Sequence, residues 1–174
     1  MSLIEACAVT CVGGVLLAVA VPTFMRHVRT SKTSEASEQL ATLHRLSAAY
    51  YARRHTGPDG RRRQHCLPDA AGPAPAAPTI SPQTVDFTAA ATPGASTWRA
   101  LGFAPQDPTR YRYALEPVEA GCDLALAERP YLLSIRAEGD LDGDGVLSRF
   151  ERRATVREGE LVPFGVLVID QHVE

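Results

Sequence analysis

Four absences narrow this sequence before any motif is read. It has no large excess of either charge: 18 Lys and Arg stand against 20 Asp and Glu, for a formal net charge of −2. That removes a global electrostatic case for nucleic acid as a partner. It has no nucleotide-binding glycine loop, and no Ser/His/Asp or Cys/His arrangement of the kind nucleophilic catalysis needs, so the chain does not read as an enzyme. It has no internal repeat, and from Ala6 to Val21 it has no charged residue at all. With 174 residues the chain is long enough for one domain with a sizeable core.

The charge that is present is unevenly spread. Residues 1–63 hold Lys32 and eight arginines against four acids, whereas residues 64–174 hold nine arginines against sixteen acids. A basic front and an acidic back attract one another between copies; two solvated faces are the simpler reading. The uncharged run is the sharper feature. A helix needs about 20 apolar residues to cross a bilayer, and with Met1 to Ile4 included the run is just long enough. It lacks the basic start and the polar break of a cleaved signal peptide. Glu5 is the anomaly, because a carboxylate at membrane depth costs several kcal/mol unless it is paired. A fitting partner is the N-terminal ammonium of Met1 on another copy, which would fix the register between subunits. Arg26, Arg29 and Lys32 come directly after the run and, by the positive-inside rule, place the C-terminal side in the cytoplasm. The cysteines argue the reverse. Cys7 and Cys11 lie in the apolar run and read as small hydrophobes, but Cys66 and Cys122 lie in polar surroundings far apart. A disulfide between them would stabilise a loop-rich head and implies an oxidising compartment.

Ser2-Leu3-Ile4-Glu5, then an apolar run containing Gly14, then Pro22: this order resembles the processed N-terminus of a type IV pilin. Met1 stands where that family usually has Phe, and the leader is absent. The resemblance is specific over about the first 25 residues. It implies cleavage before Met1 by a prepilin peptidase and methylation of the new N-terminus. It also implies residence in the inner membrane before assembly, then a homopolymer on the cell surface built by pilus assembly machinery. Met1, Glu5, Gly14 and Pro22 are the residues it assigns to filament assembly. Minor pilins and type II secretion pseudopilins share the same stem. A membrane-anchored, calcium-binding adhesive module that never polymerises is the alternative from another class; it accounts for the anchor but not for Glu5 together with Pro22.

After a stem at 1–25, residues 26–54 read as an amphipathic helix with Ala36, Leu40, Leu43, Leu46 and Tyr50 on one face. Gly13, Gly14 and Pro22 predict an interruption or kink. Residues 55–109 read as irregular: a turn with an arginine run at Arg61 to Arg63, a Pro-rich, polyproline-biased loop, and one short helix in STWRALGF capped by Ser96 or Thr97. Trp98, Leu101 and Phe103 are its core anchors. Residues 110–174 read as the sheet. Period-two runs predict strands at 110–116, 131–137, 152–158 and 164–170. The expected class is α+β: a long kinked N-terminal helix, its apolar stem first, packed on a four-stranded antiparallel sheet.

The strongest local motif is DLDGDGVLSRFE, Asp140 to Glu151, which fits the twelve-residue calcium loop. Asp140, Asp142 and Asp144 take positions 1, 3 and 5, and Gly145 makes the turn at 6. Val146 offers its carbonyl at 7, Ser148 binds directly or through water at 9, and Glu151 binds at 12. YLLSIRA before it reads as strand, so the expectation is a calcium loop joining two strands in a structural role; an Asp/Gly-rich solvated turn is the competing reading.

Overall fold

The computed structural model describes residues 3–57, 59–122 and 130–170, with the side chains of 3–9 and 22–32 outside the description. Helix α1 spans Leu3–Ala52. Its helical backbone runs unbroken through Gly13, Gly14 and Pro22, where the sequence suggested interruption. A proline removes one backbone donor and each glycine costs about 1 kcal/mol; the neighbouring hydrogen bonds carry the helix past them. The chain divides into two compact units, Met1–Ser34 and Glu35–Glu174.

In the first unit the large apolar side chains Val12, Val15, Leu16, Leu17, Val19 and Val21 are 55–66% exposed. Among the described residues no helix is long and apolar enough to cross a membrane.

In the second unit residues 35–52 of α1 bury Ala36, Leu40, Leu43, Ser47 and Tyr51, while Leu46 and Tyr50 are half-buried. Spacings of three and four make this a stripe along one side of the helix, and the stripe joins the core of the sheet. A two-residue hairpin, β1 (His55–Thr56) with β2 (Arg62–Arg63), comes after the helix. Then come β3 (Ala71–Ala74), helix α2 (Ala95–Leu101), β4 (Arg112–Pro117), β5 (Leu133–Gly139), β6 (Ser148–Arg157) and β7 (Glu160–Asp170). These last five strands form one antiparallel sheet in the order β3-β4-β5-β6-β7.

The expected architecture is therefore corrected on two counts. The sheet has five strands, not four, and among the described residues no helix is long and apolar enough to cross a membrane. The extra strand, β3, comes from the Pro-rich segment read as a polyproline loop. Ala71 pairs with Leu115 and Ala74 with Tyr113. Pro73 is tolerated because β3 is an edge strand, where a missing N–H costs the sheet nothing. Gly72 is required: its φ is +87°, and a Cβ there would lie 2.3 Å from the Tyr113 carbonyl oxygen. Such a strand carries no alternating β-branched signal, so periodicity does not reveal it. The opposite edge, β7, differs. Val166, Val168 and Ile169 are exposed on it, Val166 at 83%.

Between β3 and β4 an aromatic cluster closes the core. Phe87, Trp98, Phe103 and Tyr113 meet edge-on or tilted, with ring centroids 4.9–6.2 Å apart. The Trp98 indole N–H donates to the Pro93 carbonyl at 3.0 Å, so its one polar atom is satisfied. Helix α2 is capped by Gly94 in the left-handed region rather than by a Ser96 or Thr97 side chain. A side chain at 94 would run into Ala71 at 2.4 Å, so close packing of α2 on β3 selects glycine over a better cap.

Candidate functional site

Strand β5 ends at Gly139 and β6 begins at Ser148, leaving residues 140–147 to turn the chain through a tight acidic loop. Two left-handed glycines, Gly143 (φ +87°) and Gly145 (φ +88°), let it turn. Leu141 points into the core and fixes the loop to the sheet. The aspartates then fold the loop onto itself. Asp140 accepts from the Gly143 N–H at 2.6 Å and from the Gly145 N–H at 3.2 Å. Asp142 accepts from the Asp144 N–H at 3.3 Å, and Asp144 from the Val146 N–H at 2.7 Å. One carboxylate oxygen from each of Asp140, Asp142 and Asp144 lies within 4.8 Å of the others. No salt bridge to any of the three is present among the described residues. Three hard oxygen donors converging without a countercharge form a group that can hold a metal ion.

The remaining expected ligands lie at the loop's end and on the strand that leaves it. Strand β6 starts four residues earlier than the alternation at 152–158 suggested, so positions 9 to 12 of the loop motif belong to the sheet. Ser148 is buried there. Glu151 is not in the aspartate group. Its carboxylate accepts from Ser134 Oγ at 2.8 Å and from Arg153 Nε at 2.7 Å. The Arg153 bond, aided by the Ser134 hydroxyl and against partial burial, holds the Glu151 carboxyl below the usual carboxylate range. Val146, whose carbonyl was the expected ligand at position 7, is exposed at the loop's end. The chemistry of the donor set, carboxylate oxygens only, fits a hard divalent cation; the residues that would hold it are Asp140, Asp142 and Asp144.

Cys66 and Cys122 are joined by a disulfide across 56 residues. Beside it Leu67 and Gly121 exchange backbone hydrogen bonds of 2.7 and 3.1 Å, so the bridge clamps a short stretch of paired chain rather than two free loops. Of the residues assigned to filament assembly, Gly14 is exposed, with open space where a Cβ would stand. Glu5 and Pro22 fall in the backbone of α1 with side chains outside those described, and Met1 lies outside the described residues. No family model, no curated protein and no solved structure matches the chain.

Two ionic arrangements were not found by sequence reasoning. Glu35 accepts from Thr109 Oγ1 at 2.6 Å and from the Arg110 backbone N–H at 3.0 Å. It thereby ties the start of the second unit's helix to the chain entering β4. Glu138 on β5 receives Arg112 Nη2 at 2.7 Å and Arg149 Nε at 3.0 Å from the strands on either side. Burial works against its charge, but the two arginines prevail and hold its carboxyl below the usual range. Only the register places these groups side by side: Arg112 opposite Glu138, and Glu138 opposite Arg149.

Proposed function

We propose that this chain is a structural subunit of the type IV pilin kind, which polymerises through its apolar N-terminal helical segment into a helical filament. The observation that carries the reading is the row Val12, Val15, Leu16, Leu17, Val19 and Val21, exposed on the first unit. Apolar side chains on every side of a helix need cover on every side, and sister helices of a filament supply it. The Ser2-Leu3-Ile4-Glu5 start and Pro22 support the same reading. Glu5 meets a neighbour's N-terminus, the inner membrane holds the subunit before assembly by the pilus machinery, and the filament ends on the cell surface. The Cys66–Cys122 bridge fits that oxidising destination.

The cation at Asp140, Asp142 and Asp144 is calcium in this reading, because three carboxylates without a soft ligand suit a hard ion and extracellular calcium is plentiful. Its role is to cancel carboxylate repulsion and stiffen the β5–β6 turn. The acidic loop equally suits a type II secretion pseudopilin, a shorter filament of the same plan. The deciding experiment is Glu5→Ala in cells that display the filament, read by electron microscopy with peptide identification of the fibres. Fibres should be lost or severely reduced while the head keeps the parent's melting temperature. Fibres of normal number and length from Glu5→Ala would overturn the reading.

A further inference from the structure

A second charged cluster lies at the opposite sign, just past the end of α1. From Arg53 to Arg63 the chain places Arg53, Arg54, Arg61, Arg62 and Arg63 against a single acid, Asp59. Arg53 is occupied: it donates to the Ala100 carbonyl at 2.8 Å, and its guanidinium lies 5.3 Å from the Tyr50 ring centroid. Asp59 is shared by Arg63 at 3.1 Å and Arg61 at 3.9 Å, and the Arg61 backbone N–H, followed by the Arg63 guanidinium, holds its carboxyl below the usual carboxylate range. Arg54 and Arg62 have no acidic partner among the described residues.

Arg54, Arg62 and Arg63 do not simply radiate into solvent. With Gln64 they line one concavity of about 330 Å³, and among the described residues no carboxylate lines it. The hairpin strand β2 forms one wall, and Arg54, just past the end of α1, forms the other. Guanidinium groups brought to one hollow repel each other, and an anion in the hollow relieves that repulsion. Each guanidinium is a planar fork that bonds oxyanions through two parallel N–H groups. Gln64 adds an amide donor. The volume is at the lower end of the range for small-molecule clefts, about 300–1,000 Å³. The surplus charge of two unpartnered arginines matches a dianion, and the chain's net charge of −2 offers no extended positive field for a long polyanion.

We infer that the hollow formed by Arg54, Arg62, Arg63 and Gln64 is a binding site for a phosphate dianion, either the free ion or the terminal phosphomonoester of a headgroup. The site stands apart from the filament reading and does not depend on it.

Calorimetric titration of the full-length protein in nonionic detergent, at constant ionic strength made up with sodium chloride, tests it. Inorganic phosphate probes the free ion and glycerol 3-phosphate the headgroup. Saturable one-site binding is expected from at least one of them. Tighter binding of glycerol 3-phosphate assigns the site to a phosphomonoester, and tighter binding of inorganic phosphate assigns it to the free ion. The double variant Arg54→Gln/Arg62→Gln should weaken binding at least tenfold. Arg62→Lys, which keeps the charge and loses the fork, should weaken it several-fold. Both arginines are exposed, so the parent's melting temperature should be retained; if the double variant melts early, the single variants Arg54→Gln and Arg62→Gln give the same reading separately. Heats that never saturate, a response equal to that of sodium chloride, or undiminished binding by the double variant would overturn the site.

Discussion

Residues 12–21 and 36–51 belong to one helix, yet they meet opposite environments. Leu16 and Leu17 are about two-thirds exposed, whereas Leu40 and Leu43 are completely buried. Backbone and side-chain type are the same; the pattern differs. The later stretch confines its apolar residues to spacings of three and four, so one side suffices to bury them against a sheet. The earlier stretch is apolar all round, and no single neighbour within the unit can cover it. How much hydrophobic surface a helix carries does not decide whether it is buried; how that surface is arranged decides what kind of neighbour it needs.

That contrast is open to attack, beginning with the largest effect. Replacing both Cys66 and Cys122 by Ser should destabilise the Glu35–Glu174 unit by roughly 4 kcal/mol in a chain-entropy estimate for a 56-residue separation. Urea unfolding should show the loss, while helical signal from residues 3–34 persists; loss of both together would mean that the two units do not fold independently. Next, Leu40→Ala should cost about 2–5 kcal/mol through lost contacts and a cavity. Leu16→Ala should leave the same unfolding curve unmoved and instead alter self-association. Equal destabilisation by the two would erase the distinction between them.

The loop effects are smaller. Calcium at 100 times its dissociation constant would add about 2.7 kcal/mol, so chelation should lower the melting temperature of the head and calcium should restore it. Asp142→Asn should remove that response and, without calcium, should melt no lower than the parent, because one of three crowded carboxylates is gone. A chelation-insensitive parent, carefully demetallated, would dismiss the calcium reading. The smallest expected effect is at His44, on the packed stretch of α1. Burial lowers its pKa first, the Arg152 charge lowers it further, and a hydrogen bond to the Val162 backbone only partly opposes them. Its Nε2 is buried without a partner. The unfolded chain therefore binds a proton more readily there, and the stability that neutral His44 supports is present above pH about 6.5 and declines as pH falls through and below it. His44→Phe should flatten the pH dependence of melting between pH 7 and 5. Glu138 and Glu151, whose pKa values are lowered, lose their contribution only at more acid pH, so they do not obscure this window.

Much of the head was legible because its signals are local. Alternation located four strands to within a few residues, Trp98, Leu101 and Phe103 announced a buried short helix, and the aspartate spacing drew the three carboxylates together. What escaped depends on partners distant in sequence. Strand β3 is made of Ala, Gly and Pro and exists because β4 and α2 accept nothing larger. Glu151 matches position 12 of a calcium loop, but Arg153 two residues on and Ser134 on the next strand already hold it. Ser47 takes the fully buried place four residues after Leu43, and Leu46, three after it, is only half-buried; both spacings fit one helical face, so apolar pattern alone picks the leucine.

The prolines of β3 have a consequence at the scale of the sheet's perimeter. Pro73 within the strand and Pro75 just beyond it carry no amide hydrogen, so that rim offers an incoming strand too few donors to continue the ladder. The far rim carries a proline too, Pro163, but beyond it Val166, Val168 and Ile169 lie uncovered. With a proline on each rim, sideways growth of the ribbon from copy to copy is hindered on both sides and is left to the stretch of β7 beyond Pro163.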